Sequence, residues 1–481
     1  MSIITSMTTS EVFTIAILVL YFINVLTIFG LIFIERRSYD SLLVWIMILM
    51  FLPIIGLFLY GIFGKGPKIG KKKKFLNKID DDQQYDNLAS AQKSVLLSQS
   101  DTDSSMSRLA LFNLSQKGSI ITDNNDVEIL RDIEGFYAKM FEDISNAKKY
   151  INILFFIIKN DLYGKKLRDL LTEKASEGVK VRLVYDHVGC ARLGRRFFGK
   201  LKKAGGEVAV FLPSIFQLLN RNVNYRNHRK IVVIDSSIAY TGGANIGKEY
   251  TSKHKRITPW HDTHLRIKGD SVNIINLRFM QDFNFATTKP DIVEYKTQPA
   301  AGNHVVQILS SGPDAPEESI KLSYIKAIYG AKKRIYIQTP YFIPDESFKV
   351  ALITAAQSGV DVRIMIPKVP DKKYAYLCTT YYMKELLPHG VKFYLWKGFI
   401  HSKTLLVDED ITSIGTFNID IRSFRLHFEM TTFIYGEEFA AKMQENFEND
   451  IKNSTFVPKD YKGPLYKRFL ENIMKLFTPL M

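Results

Sequence analysis

The strongest constraint on this 481-residue chain is a run of 19 residues that occurs twice. Residues 227–245 read NHRKIVVIDSSIAYTGGAN and residues 400–418 read IHSKTLLVDEDITSIGTFN. Both follow one spacing: His, one residue, Lys, four residues, Asp, six residues, Gly, two residues, Asn. A step of two in a β-rich run places His228 with Lys230, and His401 with Lys403, on one face of a strand. Asp235 and Asp408 lie an odd seven residues beyond the histidines, roughly 23 Å along an extended strand, so they belong at the far turn. Hairpins centred on Ser236-Ser237 and Glu409-Asp410 would bring Asn245 opposite His228 and Asn418 opposite His401. His, Lys and Asn would then stand together in each copy.

Such a cluster suits a phosphoryl centre. Lys and Asn can hold non-bridging oxygens while an imidazole attacks phosphorus or donates a proton. One copy alone would read equally well as a hairpin with surface His and Lys. Two matched copies supply a histidine for each side of an in-line displacement. The flanking chain repeats as well: residues 147–161, AKKYINILFFIIKND, match residues 331–345, AKKRIYIQTPYFIPD, and residues 178–186, GVKVRLVYD, match residues 359–367, GVDVRIMIP. The offsets are 184, 181 and, for the histidines, 173 residues, a drift that loop insertions explain. Within each unit a helical apolar spacing alternates with Ile- and Val-rich runs, a βαβ rhythm that predicts an α/β fold with a parallel sheet. Two duplicated αβ lobes packed around one site are expected.

Each repeat carries a further carboxylate in a strand-like run, Asp262 at 34 residues past His228 and Glu429 at 28 past His401. A carboxylate that accepts the Nδ1 proton of an imidazole leaves Nε2 free to attack. The alternative for both is a structural carboxylate. His261, His264 and His427 flank them and are read as packing or surface residues, since no metal-like carboxylate cluster accompanies them in the sequence, and no metal is assigned. Cys190 and Cys378 lack any ligand spacing and are read as buried apolar residues.

The apolar content is uneven. Residues 12–34 form an uncharged run of 23, about 35 Å long as a helix, and residues 42–63 form a second. The polar break at residues 35–40, ERRSYD, is short enough for a hairpin, so two membrane spans are expected. Lys65, Lys68 and the lysines at 71–74 follow the second span, while only Arg36 and Arg37 lie between the spans. This bias predicts a cytoplasmic C-terminal region, with Tyr39 and Trp45 near the outer interface. Residues 79–107 turn polar with little periodicity and read as a linker or weakly ordered collar. The expected division is spans over 1–64, a basic segment and linker over 65–120, and lobes over 121–300 and 301–481. A net charge of +16 favours an anionic partner, and two spans favour an acidic membrane over nucleic acid. Phe211, Leu212 and the apolar residues 215–219, beside Arg221 and Arg226, would suit acyl chains or core. Leu465, Phe469, Leu470, Ile473 and Phe477 recur at helical spacing among Lys467, Arg468 and Lys475, the pattern of a basic amphipathic helix.

The paired HxKxxxxD motifs, each with its downstream Gly and Asn, resemble the phospholipase D superfamily. Within it, the ERRS turn, NYRNHRKIVVID, TGGANIGKEY, TPYFIPD, HSKTLLVD and NIDIRSFRLHFE are similar to bacterial cardiolipin synthases over almost the whole chain. One departure is His427, where the resemblance implies an amide residue. The resemblance implies phosphatidyl transfer between two phosphatidylglycerol molecules, giving cardiolipin and glycerol with no cofactor. It assigns His228 as nucleophile and His401 as acid and base, although the motifs themselves are symmetric. It gives Lys230, Lys403, Asn245 and Asn418 the phosphate oxygens, gives Asp262 and Glu429 the orientation of the histidines, and leaves Asp235 and Asp408 a supporting part. A hydrolytic phospholipase D, a nuclease and a membrane scaffold are the competing classes. A scaffold would be expected to have lost a motif His or Lys, and none is lost.

Overall fold

The computed structural model describes residues 8–33, 39–61, 83–98, 104–116, 119–194, 196–213, 224–251, 257–287, 297–315, 317–476 and 478. The chain divides into two compact units: residues 1–68, 214–224 and 472–481 form one, and residues 69–213 and 225–471 form the other.

In the smaller unit the first apolar run is one helix, Thr9–Phe33, of 25 residues, long and apolar enough to cross a membrane. The second run is not one continuous helix. It forms helix Tyr39–Phe51, a break at Leu52, and helix Pro53–Leu59. Pro53 lacks an amide proton and its ring crowds the preceding turn, which interrupts a helix there. The helices pack through Leu31, Trp45, Leu49 and Tyr60, and the amide of Asn24 donates to the Leu49 carbonyl at 2.8 Å. Trp45 is 3% exposed and packs edge-on against Tyr60. The turn at 35–38 and the lysines at 65–74 lie outside the described residues.

The larger unit is built on one 16-stranded sheet. The first half of the chain gives β1 (Ile121–Leu130), β2 (Tyr150–Phe155), β3 (Lys180–Asp186), β4 (Glu207–Phe211), β5 (Arg226–Asn227), β6 (Ile231–Ile234), β7 (Ile238–Gly242), β8 (Trp260–His261) and β9 (His264–Lys268). The second half gives β10 (His304–Ser311), β11 (Arg334–Gln338), β12 (Phe342–Ile343), β13 (Asp361–Pro367), β14 (Lys392–Trp396), β15 (Phe399–Ile400), β16 (Thr404–Val407), β17 (Ile411–Gly415), β18 (Ile419–Asp420), β19 (His427–Tyr435) and β20 (Ser454–Val457). The order β4-β3-β2-β6-β7-β9-β1 in one half is repeated as β14-β13-β11-β16-β17-β19-β10 in the other, with β20 added at the edge. Antiparallel pairing of β1 with β10 makes the two halves one sheet. Along this order β2, β3 and β4, and their counterparts, pair in parallel, because each is joined through a helix. The motif hairpins β6–β7 and β16–β17 are antiparallel, so the sheet is mixed and not parallel throughout.

The segment read as a linker contains helix Gln83–Ser98, missed because its pattern is mostly polar. The Gln92 side chain pairs with the Ile121 backbone at 2.7 and 2.8 Å, which fixes the helix to β1. Phe211 and Leu212 are core residues, with Phe211 against Phe285 and Phe428, while residues 215–219 and Arg221 lie outside the described residues. Both cysteines are buried. The last helix, Leu465–Lys475, buries Glu471 against Thr380 and Lys384 and leaves Leu465, Phe469 and Leu470 exposed.

Candidate active site

The two histidines are set by short parallel bridges between the halves of the sheet. In one, Arg226 and Asn227 of β5 pair with His427 and Phe428 of β19, and the His228 amide donates to the Phe428 carbonyl at 2.9 Å. In the other, Trp260 and His261 of β8 pair with Phe399 and Ile400 of β15, and the His401 amide donates to the His261 carbonyl at 2.6 Å. Continuing either register by one residue sets His228 beside Glu429 and His401 beside Asp262. The carboxylates are therefore exchanged between halves. Glu429 lies 3.0 Å (Oε1) and 3.3 Å (Oε2) from His228 Nδ1, and Asp262 Oδ2 lies 2.7 Å from His401 Nδ1. With an Nδ1 proton directed at each carboxylate, Nε2 carries the lone pair.

Lys230 Nζ donates to the carbonyl of His228 at 2.6 Å, and Lys403 Nζ donates to that of His401. Each lysine thus folds over its own histidine, as the spacing of two requires. Burial depresses Lys230 to about 7 and Lys403 to about 8, although Glu429 and Asp262 pull both upward. Burial, with Lys403 nearby, holds His401 down at about 4 despite Asp262. His228 is held well below the usual imidazole range by burial and by Lys230, Lys403 and His401, which places both histidines and both lysines in one electrostatic field. Burial pushes Asp262 up, but His401 and Lys403 more than offset this and keep it below the usual carboxylate range. Neutral imidazoles, orienting anions and incompletely held lysine protons form a site prepared for a phosphodiester anion.

Asp235 and Asp408 stand at the far turns, as their odd spacing predicts. Asp235 accepts from the amides of Lys148, Lys149 and Tyr150 at 2.7–2.8 Å, and Asp408 from those of Lys332, Lys333 and Arg334 at 2.7–3.0 Å. Both adopt left-handed backbone, φ 53° and 52°, which Asp tolerates better than most residues. The hairpin register differs from the expected one by a residue. Ile234 faces Ile238 and Val407 faces Ile411, so three residues form each turn and the ladders point His228 at Ala244 and His401 at Phe417. Asn245 Oδ1 accepts from the Ile157 amide at 3.2 Å, while Asn418 Oδ1 is buried without a partner.

Several residues at the site were not foreseen. The Thr416 hydroxyl donates to Glu429 Oε2. Arg229, fully buried between His228 and Lys230, donates to the Glu429 carbonyl at 3.0 Å and to Asp282 at 2.7 Å. Its position inside HRK was visible, but its partners lie 53 and 200 residues away, beyond any local pattern. His261 is a packing residue, held by Asp450 at 2.9 Å and Arg131 at 3.1 Å, and His264 packs under Phe136. His427 departs from the reading of the flanking histidines as packing or surface residues with no metal-like cluster beside them. Ligating atoms of His228, His427 and Glu429 all lie within 4.8 Å of one another, because strand β19 carries His427 and Glu429 on one face, two residues apart.

A paired-lobe α/β fold with two exchanged His–carboxylate pairs and two HxK segments defines a phosphodiester-transferring enzyme of the phospholipase D class. Comparison with known proteins narrows this. Residues 140–262 and 324–451 match the family described as "Cardiolipin synthase, PLD-like domain", and residues 18–65 match a phospholipase D-nuclease N-terminal family. The chain is 41% identical to a cardiolipin synthase of Clostridium perfringens, covering 93% of this chain and 96% of that one. It is 38% identical to the major cardiolipin synthase of Bacillus subtilis, covering 97% and 99%. A crystal structure of phosphatidylserine synthase from Haemophilus influenzae shares the fold, with a TM-score of 0.58 at 17% identity over 73% of this chain and 92% of that one. The chain belongs to the cardiolipin synthase family, phosphatidyltransferases of the phospholipase D superfamily.

Proposed function

We propose that the enzyme joins two phosphatidylglycerol molecules into cardiolipin and releases glycerol, through a phosphatidyl-histidine on His228. The observation that carries this reading is the pair of exchanged contacts, His228 with Glu429 and His401 with Asp262, which give one site two oriented imidazoles. Nε2 of His228 attacks phosphorus; His401, brought to its doubly protonated form by the bound phosphodiester anion together with Asp262, gives its Nε2 proton to the departing glycerol oxygen. His401 then removes the proton of a hydroxyl on the second lipid, and that oxygen displaces the His228 nitrogen. One phosphodiester replaces another, so no nucleotide or metal takes part. Lys230, Lys403, Asn245 and Asn418 stabilise the charge on the non-bridging oxygens. Asp235 and Asp408 act at a distance by fixing the strand ends. The substrate reaches the site from the cytoplasmic leaflet of the cell membrane, with residues 1–64 as a two-span anchor and the lobes at 121–300 and 301–481 in the cytoplasm. Helix Thr9–Phe33 supports the anchor, and the lysines at 65–74 support its orientation.

Purified protein in phosphatidylglycerol bilayers is expected to release glycerol and cardiolipin in a one-to-one ratio, with little phosphatidic acid. Phosphatidic acid as the main product at high lipid density would replace this reading with a hydrolytic phospholipase D.

A further inference from the structure

The two halves of the site are related by near-symmetry, and one departure from it stands beside His228. Trp260 in β8 and His427 in β19 occupy matching positions, each two residues before its carboxylate and each beside the opposite half's histidine. The Trp260 ring is 5.1 Å from that of His401, and the His427 ring is 5.3 Å from that of His228. An indole, which has no lone pair for a metal, is present in one half, and an imidazole with two ring nitrogens in the other. Three ligating atoms, one each from His228, His427 and Glu429, fall within 4.8 Å of one another.

The geometry points to a binding site for one transition-metal ion of the zinc type at His228, His427 and Glu429, whose occupation switches off phosphatidyl transfer. Zinc bonds to His nitrogen and carboxylate oxygen are about 2.0–2.2 Å, so adjacent tetrahedral ligands stand about 3.3 Å apart. Glu429 Oε1 lies 3.0 Å from His228 Nδ1 and 3.6 Å from His427 Nδ1, on either side of that figure. Thr416 holds the other oxygen, Oε2. Oε1 and His427 Nδ1 are buried without a well-formed hydrogen bond, a deficit that a bound cation would meet. Lys230 beside His228 and Arg422 beside His427 work against added positive charge, which suits a reversible inhibitor and not a resident cofactor.

The switch follows from the two ring nitrogens. A metal at Nδ1 of His228 takes the place of the single ring proton now directed at Glu429, and that proton moves to Nε2. Nε2 then has no lone pair for phosphorus. This consequence rests on His228 being the nucleophile, whereas the site itself does not.

The test uses full-length protein in neutral detergent without anionic lipid, titrated with Zn2+ or Co2+ alone. One equivalent of Co2+ is expected to give the strong visible absorption of a tetrahedral centre, and Zn2+ X-ray absorption to count two imidazoles and at least one oxygen. Zn2+ is expected to inhibit transfer with the same concentration dependence as binding, and a chelator to restore activity. His427→Asn is expected to stay active, to weaken binding roughly 100-fold or more, and to lose the inhibition. Equal Zn2+ binding by the wild type and His427→Asn, or fewer than two imidazoles in the wild-type absorption spectrum, would overturn the site, and the second result needs no variant. Binding that depends on His427 without inhibition would overturn the switch. If the metal-free enzyme makes no cardiolipin, the functional reading fails while the Co2+ spectrum still decides the site.

Discussion

Exchange of carboxylates between halves makes a prediction that an arrangement within each half would reverse. Glu429 lies in the same half as His401 but 3.0 Å from His228, and Asp262 lies in the same half as His228 but 2.7 Å from His401. Replacing either by its amide keeps the shape and removes the charge. A hydrogen bond to a charged acceptor contributes about 1.5–3 kcal/mol, so loss of orientation alone costs roughly 10- to 150-fold in rate. An amide NH2 facing Nδ1 also selects the wrong tautomer, and in a serine-protease triad the matching change costs about 10⁴. Both Glu429→Gln and Asp262→Asn are therefore expected to lose two to four orders of magnitude in cardiolipin formation. An activated phenolate leaving group separates them, because it needs no proton from His401. Burst release of phenolate is expected to recover in Asp262→Asn as it does in His401→Ala. It is expected to stay low in Glu429→Gln as in His228→Ala. If Glu429→Gln recovers and Asp262→Asn does not, while the histidine variants behave as stated, the exchanged pairing is wrong. If the histidine variants themselves are reversed, the nucleophile is His401 and the pairing can still be scored against them.

Three further outcomes follow from the same contacts. Burial lowers His401 to about 4 and His264 and His427 to about 3, against an ordinary value near 6.5, so the unfolded chain takes up protons that the folded one refuses. Unfolding free energy is expected to fall as pH drops from 6.5 toward 4, by up to about 1.4 kcal/mol per pH unit for each histidine, and denaturant titrations showing no change between pH 7 and 5 would refute it. Asp408→Ala removes the acceptor for three backbone amides and leaves a left-handed residue without its polar side chain, so a loss of about 2–3 kcal/mol in thermal or chemical unfolding is expected, and Asp408→Asn is expected to lose less. A reporter fused after Met481 is expected to behave as cytoplasmic, and extracytoplasmic behaviour would reverse the orientation.

What was legible in the sequence was whatever a fixed spacing along one strand determines. His and Lys two apart on β-rich runs do share a face, and an odd step does send Asp235 and Asp408 to the turns. The repeat of AKK and GV segments anticipated the duplicated strand order. Harder to read was anything decided between strands far apart in the chain. Nothing local shows that Glu429 serves His228 instead of His401, since that depends on β5 pairing with β19, some 200 residues away. The hairpin register was misplaced by one because Asp235 accepts a left-handed backbone, turning a two-residue loop into three. Length alone did not show the break in the second apolar run, where Pro53 interrupts the helix, and polarity misled at Gln83–Ser98, where one glutamine anchors the helix.

The exchange also explains how two matching motifs can carry different tasks. Because each imidazole is oriented by the other half, neither half holds a complete His–carboxylate pair, and the continuous β1–β10 junction is what brings the pairs into being. Around this shared frame the near-symmetry is broken next to the carboxylates. Thr416 follows the Gly of the second motif and donates to Glu429, while Gly243 stands at the matching place in the first. A Cβ on Gly243 would come within 1.9 Å of Asp262 Oδ1, so no hydroxyl-bearing side chain fits there without moving that carboxylate. Glu429 is thus held by two protein donors, His228 and Thr416, whereas Asp262 combines His401 with the backbone amide of Thr263 at 2.9 Å. With the lobes locked in one sheet, such differences beside the carboxylates can give the two histidines unequal proton affinity while the catalytic His and Lys remain identical in type.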